Sequence, residues 1–135
     1  MGKRFWELGY RGFFDIDFVL SKENGTPYII ETNMRRTGGT HVFDVARLIF
    51  GQKWKRKAFF LSHDSFCYGK NLLSEKVILE KIKNILFPMS KDKKGVIISV
   101  INKWQPALGF IIIEESSQKA LGIYSKMKNL FNIKN

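Results

Sequence analysis

One cysteine, Cys67, is all that this chain of 135 residues contains. No internal disulfide can form, which excludes a disulfide-stapled extracellular scaffold. Lodged between Phe66 and Tyr68, the thiol reads as a small packed side chain rather than a nucleophile. No zinc-ligand spacing, helix-turn-helix or RNA-binding motif is present. No apolar run approaches the roughly 20 residues a membrane-spanning helix needs. The start MGKRFWELGY lacks an apolar signal core and a small-residue cleavage site. It also lacks the Ser or Thr that a myristoylation signal places at the sixth position. The cytoplasm is therefore the expected compartment, with no membrane partner. Internal repeats and low-complexity linkers are missing too.

Acidic residues are scarce, 12 against 23 basic ones, for a net charge of +11. The imbalance is uneven. Up to Phe50 there are seven basic and six acidic side chains, and beyond it sixteen and six. A basic surface suits acidic partners such as nucleic acid, anionic lipid or nucleotide. The densest cluster, Lys53-Trp54-Lys55-Arg56-Lys57, reads either as a footprint for phosphates or as a solvated rim of lysines. The rim is the preferred reading, and nucleic acid is not an expected partner. The hydrophobic content of 44% is that of a folded chain rather than a disordered one.

The pattern predicts an α+β fold. A loop over Arg35–Thr40 leads into a helix from about His41 to Phe50, with Thr40 as N-cap, Gly51 as stop, and Val42, Val45, Ala46 and Ile49 inward. Lys57–Ser62 reads as a short strand, and His63-Asp64-Ser65 as turn polarity, since three adjacent residues cannot converge as a triad. Ser74 is expected to cap a helix to about Phe87, with Val77, Ile78, Ile82, Ile85 and Leu86 inward and Pro88 beyond its end. Ser90–Lys94 reads as a charged loop. Apolar strands follow at Gly95–Ile101 and Gly109–Glu114. Ser116 or Ser117 caps a last helix to about Phe131, burying Ala120, Ile123, Tyr124, Met127 and Leu130. The shift in charge places a seam near Gly51–Lys57, giving expected domains 1–52 and 53–135.

The segment Gly9–His41 carries the chemistry. Gly25 can supply a positive φ at the end of a three-residue hairpin turn, Glu23-Asn24-Gly25, between the apolar runs Phe13–Leu20 and Pro27–Ile30. Lys22 then pairs with Thr26, Asp17 with Glu31 and Asp15 with Asn33, all four polar side chains on one face. Phe14, Ile16, Phe18, Tyr28 and Ile30 fall on the other. A two-residue Asn-Gly turn would instead bring Asp17 opposite Thr32. Carboxylates directly across a strand pair repel, unless a hard dication lies between them. Carboxylate and amide oxygens are what Mg²⁺ takes, completed by substrate phosphates. The plain alternative is a solvated polar face. Behind them, Arg35 and Arg36 offer guanidinium forks for phosphate, and Gly38-Gly39 leads into a helix start where anions bind. The glycine pair reads equally as a tight turn, and His41 either touches substrate or caps the helix.

These residues resemble the C-terminal lobe of ATP-grasp enzymes. The run GYRGFFDIDF followed by an E-x-N triplet is similar to that of D-alanine–D-alanine ligases. Glu31-Thr32-Asn33-Met34-Arg35 resembles the E-x-N-x-R of carbamoyl phosphate synthetase and biotin carboxylase. The longer run Glu31–His41, with a later pattern over Gly95–Tyr124, looks most like the pheganomycin-type peptide ligases. Asp15 stands where dipeptide ligases have an arginine. The resemblance implies an antiparallel hairpin-based sheet packed on helices, plus a small C-terminal α+β subdomain. It implies Mg²⁺ (or Mn²⁺) held by Asp17, Glu31 and Asn33, and phosphate or acyl phosphate at Arg35; the loop reading adds Gly38, Gly39 and His41 as expected contacts to the ATP phosphates. Arg35 and Arg36 would serve the transferred phosphoryl group. The expected activity is carboxylate–amine ligation through an acyl phosphate. With eight residues before Gly9, the other, adenine-holding lobe is expected on a separate chain or to be missing. A non-catalytic fragment or binding module is the alternative.

Overall fold

The computed structural model describes residues 1–87 and 93–133. The fold is mixed α+β, with antiparallel sheets and helices packed on them. The chain divides into two compact units, Met1–His41 and Val42–Asn135.

The first unit is a short helix α1 (Gly2–Glu7) and a two-stranded sheet of β1 (Asp15–Leu20) and β2 (Pro27–Asn33). Phe5 of α1 sets its ring edge-on against Tyr10 and Phe14, at centroid distances of 6.4 and 5.1 Å. Arg11 closes the turn after the helix. Its guanidinium donates to the Trp6 carbonyl at 2.8 Å and lies over the indole at 4.6 Å. None of the unit's residues is fully buried.

The hairpin turn is one residue longer than the spacing predicts. Ser21 N–H donates to the Thr26 carbonyl and Gly25 N–H to that of Ser21, so Lys22–Gly25 form the loop and Leu20 pairs with Pro27. Local side chains shape it. Ser21 Oγ accepts from Glu23 N–H, and Asn24 Oδ1 from Thr26 N–H, the turn chemistry these residue types favour. Gly25 takes the expected positive φ, +69°. A longer turn slips the ladder, and a β-bulge restores it. Between Asp17 and Phe18 the partner jumps from Glu31 to Ile29, leaving Ile30 as the extra residue. Tyr28 therefore pairs with Val19 and shares the Asp17 face, contrary to the expected placement beside Phe18.

In the second unit, β3 (Phe59–Cys67), β5 (Ala107–Glu114) and β4 (Gly95–Ile101) form an antiparallel sheet in that order. The central strand β5 is buried from Ala107 to Ile113, which is why it reads as an unbroken apolar run. Leu108, Phe110 and Ile112 join the core with Ile78 and Ile82 of α3 (Glu75–Ile82) and Ala120 and Met127 of α4 (Ser117–Leu130). Ile111 and Ile113 are buried as well. Phe60, opposite Ile113, packs edge-on against Phe50 and Trp54, and Trp54 against Phe43. That ring stack ties α2 (Thr40–Phe50) and the 3-10 turn Trp54–Arg56 to the sheet. The serine caps are as expected. Ser74 Oγ accepts from Val77 N–H, and Ser116 Oγ from Lys119 N–H.

Gly109 sits where both neighbours of β5 bulge, β3 between His63 and Phe66 and β4 between Ile98 and Val100. A Cβ there would lie 2.8 Å from Ser99 Oγ and Val100 Cγ1 and 3.1 Å from the Asp64 carbonyl. Glycine avoids that collision with side chains of β4 and the backbone of β3.

Several expected placements differ. The strand expected at Lys57–Ser62 runs on to Cys67, so His63 lies within β3 rather than in a turn, stacked on Tyr124 at 5.9 Å. Cys67 is exposed, not packed, because it alternates with buried Phe66 and Tyr68. Val77 faces outward, one position before the buried Ile78. Pro88 and most of the Ser90–Lys94 loop lie outside the described residues.

Candidate metal and phosphate site

All the residues singled out for metal and phosphate lie within Met1–His41. The strand ladder sets Asp17 directly opposite Glu31, and Asp15 opposite Asn33. Opposed side chains in an antiparallel pair have Cβ atoms about 5 Å apart. Alternation along β1 puts Asp15 and Asp17 on one face, so three carboxylates and one amide share a patch two ladder steps long. Asp15, Asp17 and Glu31 are exposed and Asn33 is half-buried. Among the described residues, Asp17 and Glu31 have no ion-pair partner. Neither carboxylate is paired directly by one of the described cations.

Arg35 leans back onto this patch. Its guanidinium donates to Asn33 Oδ1 at 3.2 Å and to the Arg36 carbonyl at 3.2 Å. Those bonds orient the Asn33 amide and hold a fixed cation beside the carboxylates. Arg36 turns elsewhere, over the Phe13 ring at 5.3 Å, so the two arginines do not act as a pair.

The loop after Arg36 is closed by its own hydrogen bonds. Thr40 Oγ1 donates to the Thr37 carbonyl at 2.7 Å, and Thr40 N–H to the same oxygen at 3.0 Å. Thr40 is thereby the first residue of α2. His41 Nδ1 meets the Gly38 carbonyl. His41 Nε2 is shielded from solvent and, among the described residues, has no hydrogen-bond partner. Leaving such an atom unpaired costs about 1–3 kcal/mol. Gly39 stays outside the left-handed region, and a Cβ added to it would meet open space. Neither the turn nor the packing requires glycine there.

Among the described residues, no three His, Cys, Asp or Glu side chains converge on one point. A cage made only of protein ligands, as calcium or zinc would use, is not what this face provides. Two facing carboxylates and a neighbouring amide are instead the partial set that Mg²⁺ accepts when phosphates and waters supply the rest. No helix among the described residues is long and apolar enough to cross a membrane. No protein-family model matches the chain, and no curated protein matches it.

Proposed function

We propose that this chain is the metal- and phosphate-holding portion of an ATP-dependent carboxylate–amine ligase of the ATP-grasp type. In this reading the adenine-holding lobe is supplied from outside these residues. The observation that carries the proposal is the opposition of Asp17 and Glu31, with Asn33 beside them and Arg35 bonded to Asn33. The donor set fits Mg²⁺, or Mn²⁺, as a shared ion of protein and nucleotide. Bound there, the ion would neutralise charge on the β- and γ-phosphate oxygens.

The chain's own residues have distinct parts to play. Asp17 and Glu31 hold negative charge where the cation belongs, and Asn33 adds a neutral oxygen. Arg35 fixes that amide and presents its remaining N–H groups to phosphate or to the acyl phosphate. Gly39, free of any structural demand for glycine, allows phosphate oxygens to approach the backbone. His41 Nε2, without a hydrogen-bond partner among the described residues, suits a polar group of nucleotide or substrate. The hairpin leaves Phe18, Leu20 and Ile30 more than half exposed. A two-stranded sheet is marginal by itself in water, which fits a hairpin that belongs to a larger sheet.

Isothermal titration with Mg²⁺–ATP tests the reading, with the chain alone and mixed with the lobe that completes it. The expected result is binding that needs Mg²⁺ and is lost in Glu31→Gln. Binding that ignores both the metal and Glu31→Gln would refute the assignment.

A further inference from the structure

The second unit holds a cavity of about 250 Å³ lined by Lys55, Arg56, Lys57, Ala58, Phe59, Glu115 and Ser116. Three consecutive cations border it, and Glu115 is the one carboxylate among its walls. Both oxygens of that carboxylate are already engaged, Oε1 by Lys94 and Oε2 by Lys119. Glu115 is thus committed to Lys94 and Lys119 rather than paired with Lys55, Arg56 or Lys57. Lys57 Nζ donates to the Phe50 carbonyl at 3.2 Å, and Lys55 Nζ lies 5.7 Å from the Trp54 ring centre. Neither contact removes charge. Among the described residues, Arg56 has no ion-pair partner.

We infer that this cavity binds a small phosphomonoester, independently of the hairpin site and without a metal. A phosphate dianion is the group that several clustered cations and a guanidinium fork recognise best. The Ser116 hydroxyl accepts from Lys119 N–H and keeps its own proton to donate. Phe59 is 39% exposed and offers an apolar wall to the organic body that carries the phosphate. Pockets for drug-sized ligands run from about 300 to 1,000 Å³. A volume below that range selects a small phosphorylated molecule over a large cofactor. A nucleic-acid backbone would need an extended track of cations, whereas these three residues line a single concavity.

The test is an amide NMR titration of the full chain with inorganic phosphate and with phenyl phosphate, in EDTA. Saturable shifts are expected at residues 55–59 and 115–116, with phenyl phosphate the tighter ligand. Arg56→Gln and, separately, Lys55→Gln should each weaken binding about tenfold, while their spectra report that the fold is intact. Phe59→Ala should erase the preference for phenyl phosphate. A double variant, Lys76→Gln with Lys126→Gln, should bind normally. Shifts that never saturate, or equal weakening in that control, would reduce the cavity to diffuse charge and overturn the proposal. So would a single-stranded oligonucleotide that binds and is not displaced by phenyl phosphate.

Discussion

Asp17 and Glu31 face each other across the hairpin only because two irregularities cancel. The four-residue turn Lys22–Gly25 alone would bring Asp17 opposite Ile30, and the bulge at Ile30 restores Glu31 as its partner. A ladder that slips and then recovers, only to oppose two carboxylates, is arranged against the chain's own electrostatics. The cost is justified if the face holds a cation.

The first prediction follows from that repulsion. In EDTA, Glu31→Gln should stabilise the hairpin by roughly 0.2–1 kcal/mol, the range of a cross-strand charge pair. Mg²⁺ should stabilise the wild type and leave the variant unchanged. Thermal melts followed by NMR signals of β1 and β2, with and without Mg²⁺, would show both effects. A variant less stable than wild type in EDTA would mean the pair attracts through some other group.

Gly109 gives the second. Gly109→Ala forces a Cβ to within 2.8 Å of Ser99 Oγ and Val100 Cγ1. The central strand cannot move without both neighbours, so a loss of about 1–3 kcal/mol is expected. Gly122→Ala, where a Cβ meets open space in a helix, should instead gain roughly 0.5–1 kcal/mol. Urea unfolding of the two variants side by side measures the contrast.

Phe110 is the third. It is wholly buried and touches the rings of His63, Phe66 and Tyr124. Phe110→Ala should cost about 3–5 kcal/mol, enough to unfold much of the second unit. Phe110→Leu should cost distinctly less. Near-ultraviolet circular dichroism of the aromatic cluster reads the loss directly.

The fourth concerns pH. Lys119 and Lys94 hold the Glu115 carboxyl down to about 2, against an ordinary 4.5. A depressed carboxylate contributes stability above its unfolded value, and that contribution fades as pH falls from about 4.5 through 2. The groups are exposed, so the effect on overall stability is small. A carboxyl carbon titration should place Glu115 near 2 in wild type and move it upward in Lys119→Gln. An unchanged midpoint in the variant would break the assignment of cause.

Much of this was legible in the residues. Ser74 and Ser116 mark their helix starts because a β-region serine before an apolar stripe has one obvious use. Gly95–Ile101 matches its strand to the residue. The pairing of Asp17 with Glu31 was also readable, although by a simpler turn than the real one. Ser21 and Asn24 were the available signals for the longer turn, through their side-chain bonds to the backbone. The bulge at Ile30 left no such signal, since an extra apolar residue in an apolar strand looks like any other. The extension of β3 to Cys67 was hidden by the polar run Ser62–Ser65. Phe43 and Phe50 escaped the expected helix stripe because their partners, Trp54 and Phe60, lie beyond the helix itself.

The most direct test of the central claim is paramagnetic broadening by substoichiometric Mn²⁺, with a nucleotide phosphate present. The account predicts that the amide signals of Asp17, Glu31 and Asn33 broaden first, and that Mg²⁺ restores them. Broadening confined to other carboxylates, such as Glu75 or Glu80, with the hairpin signals untouched, would contradict it.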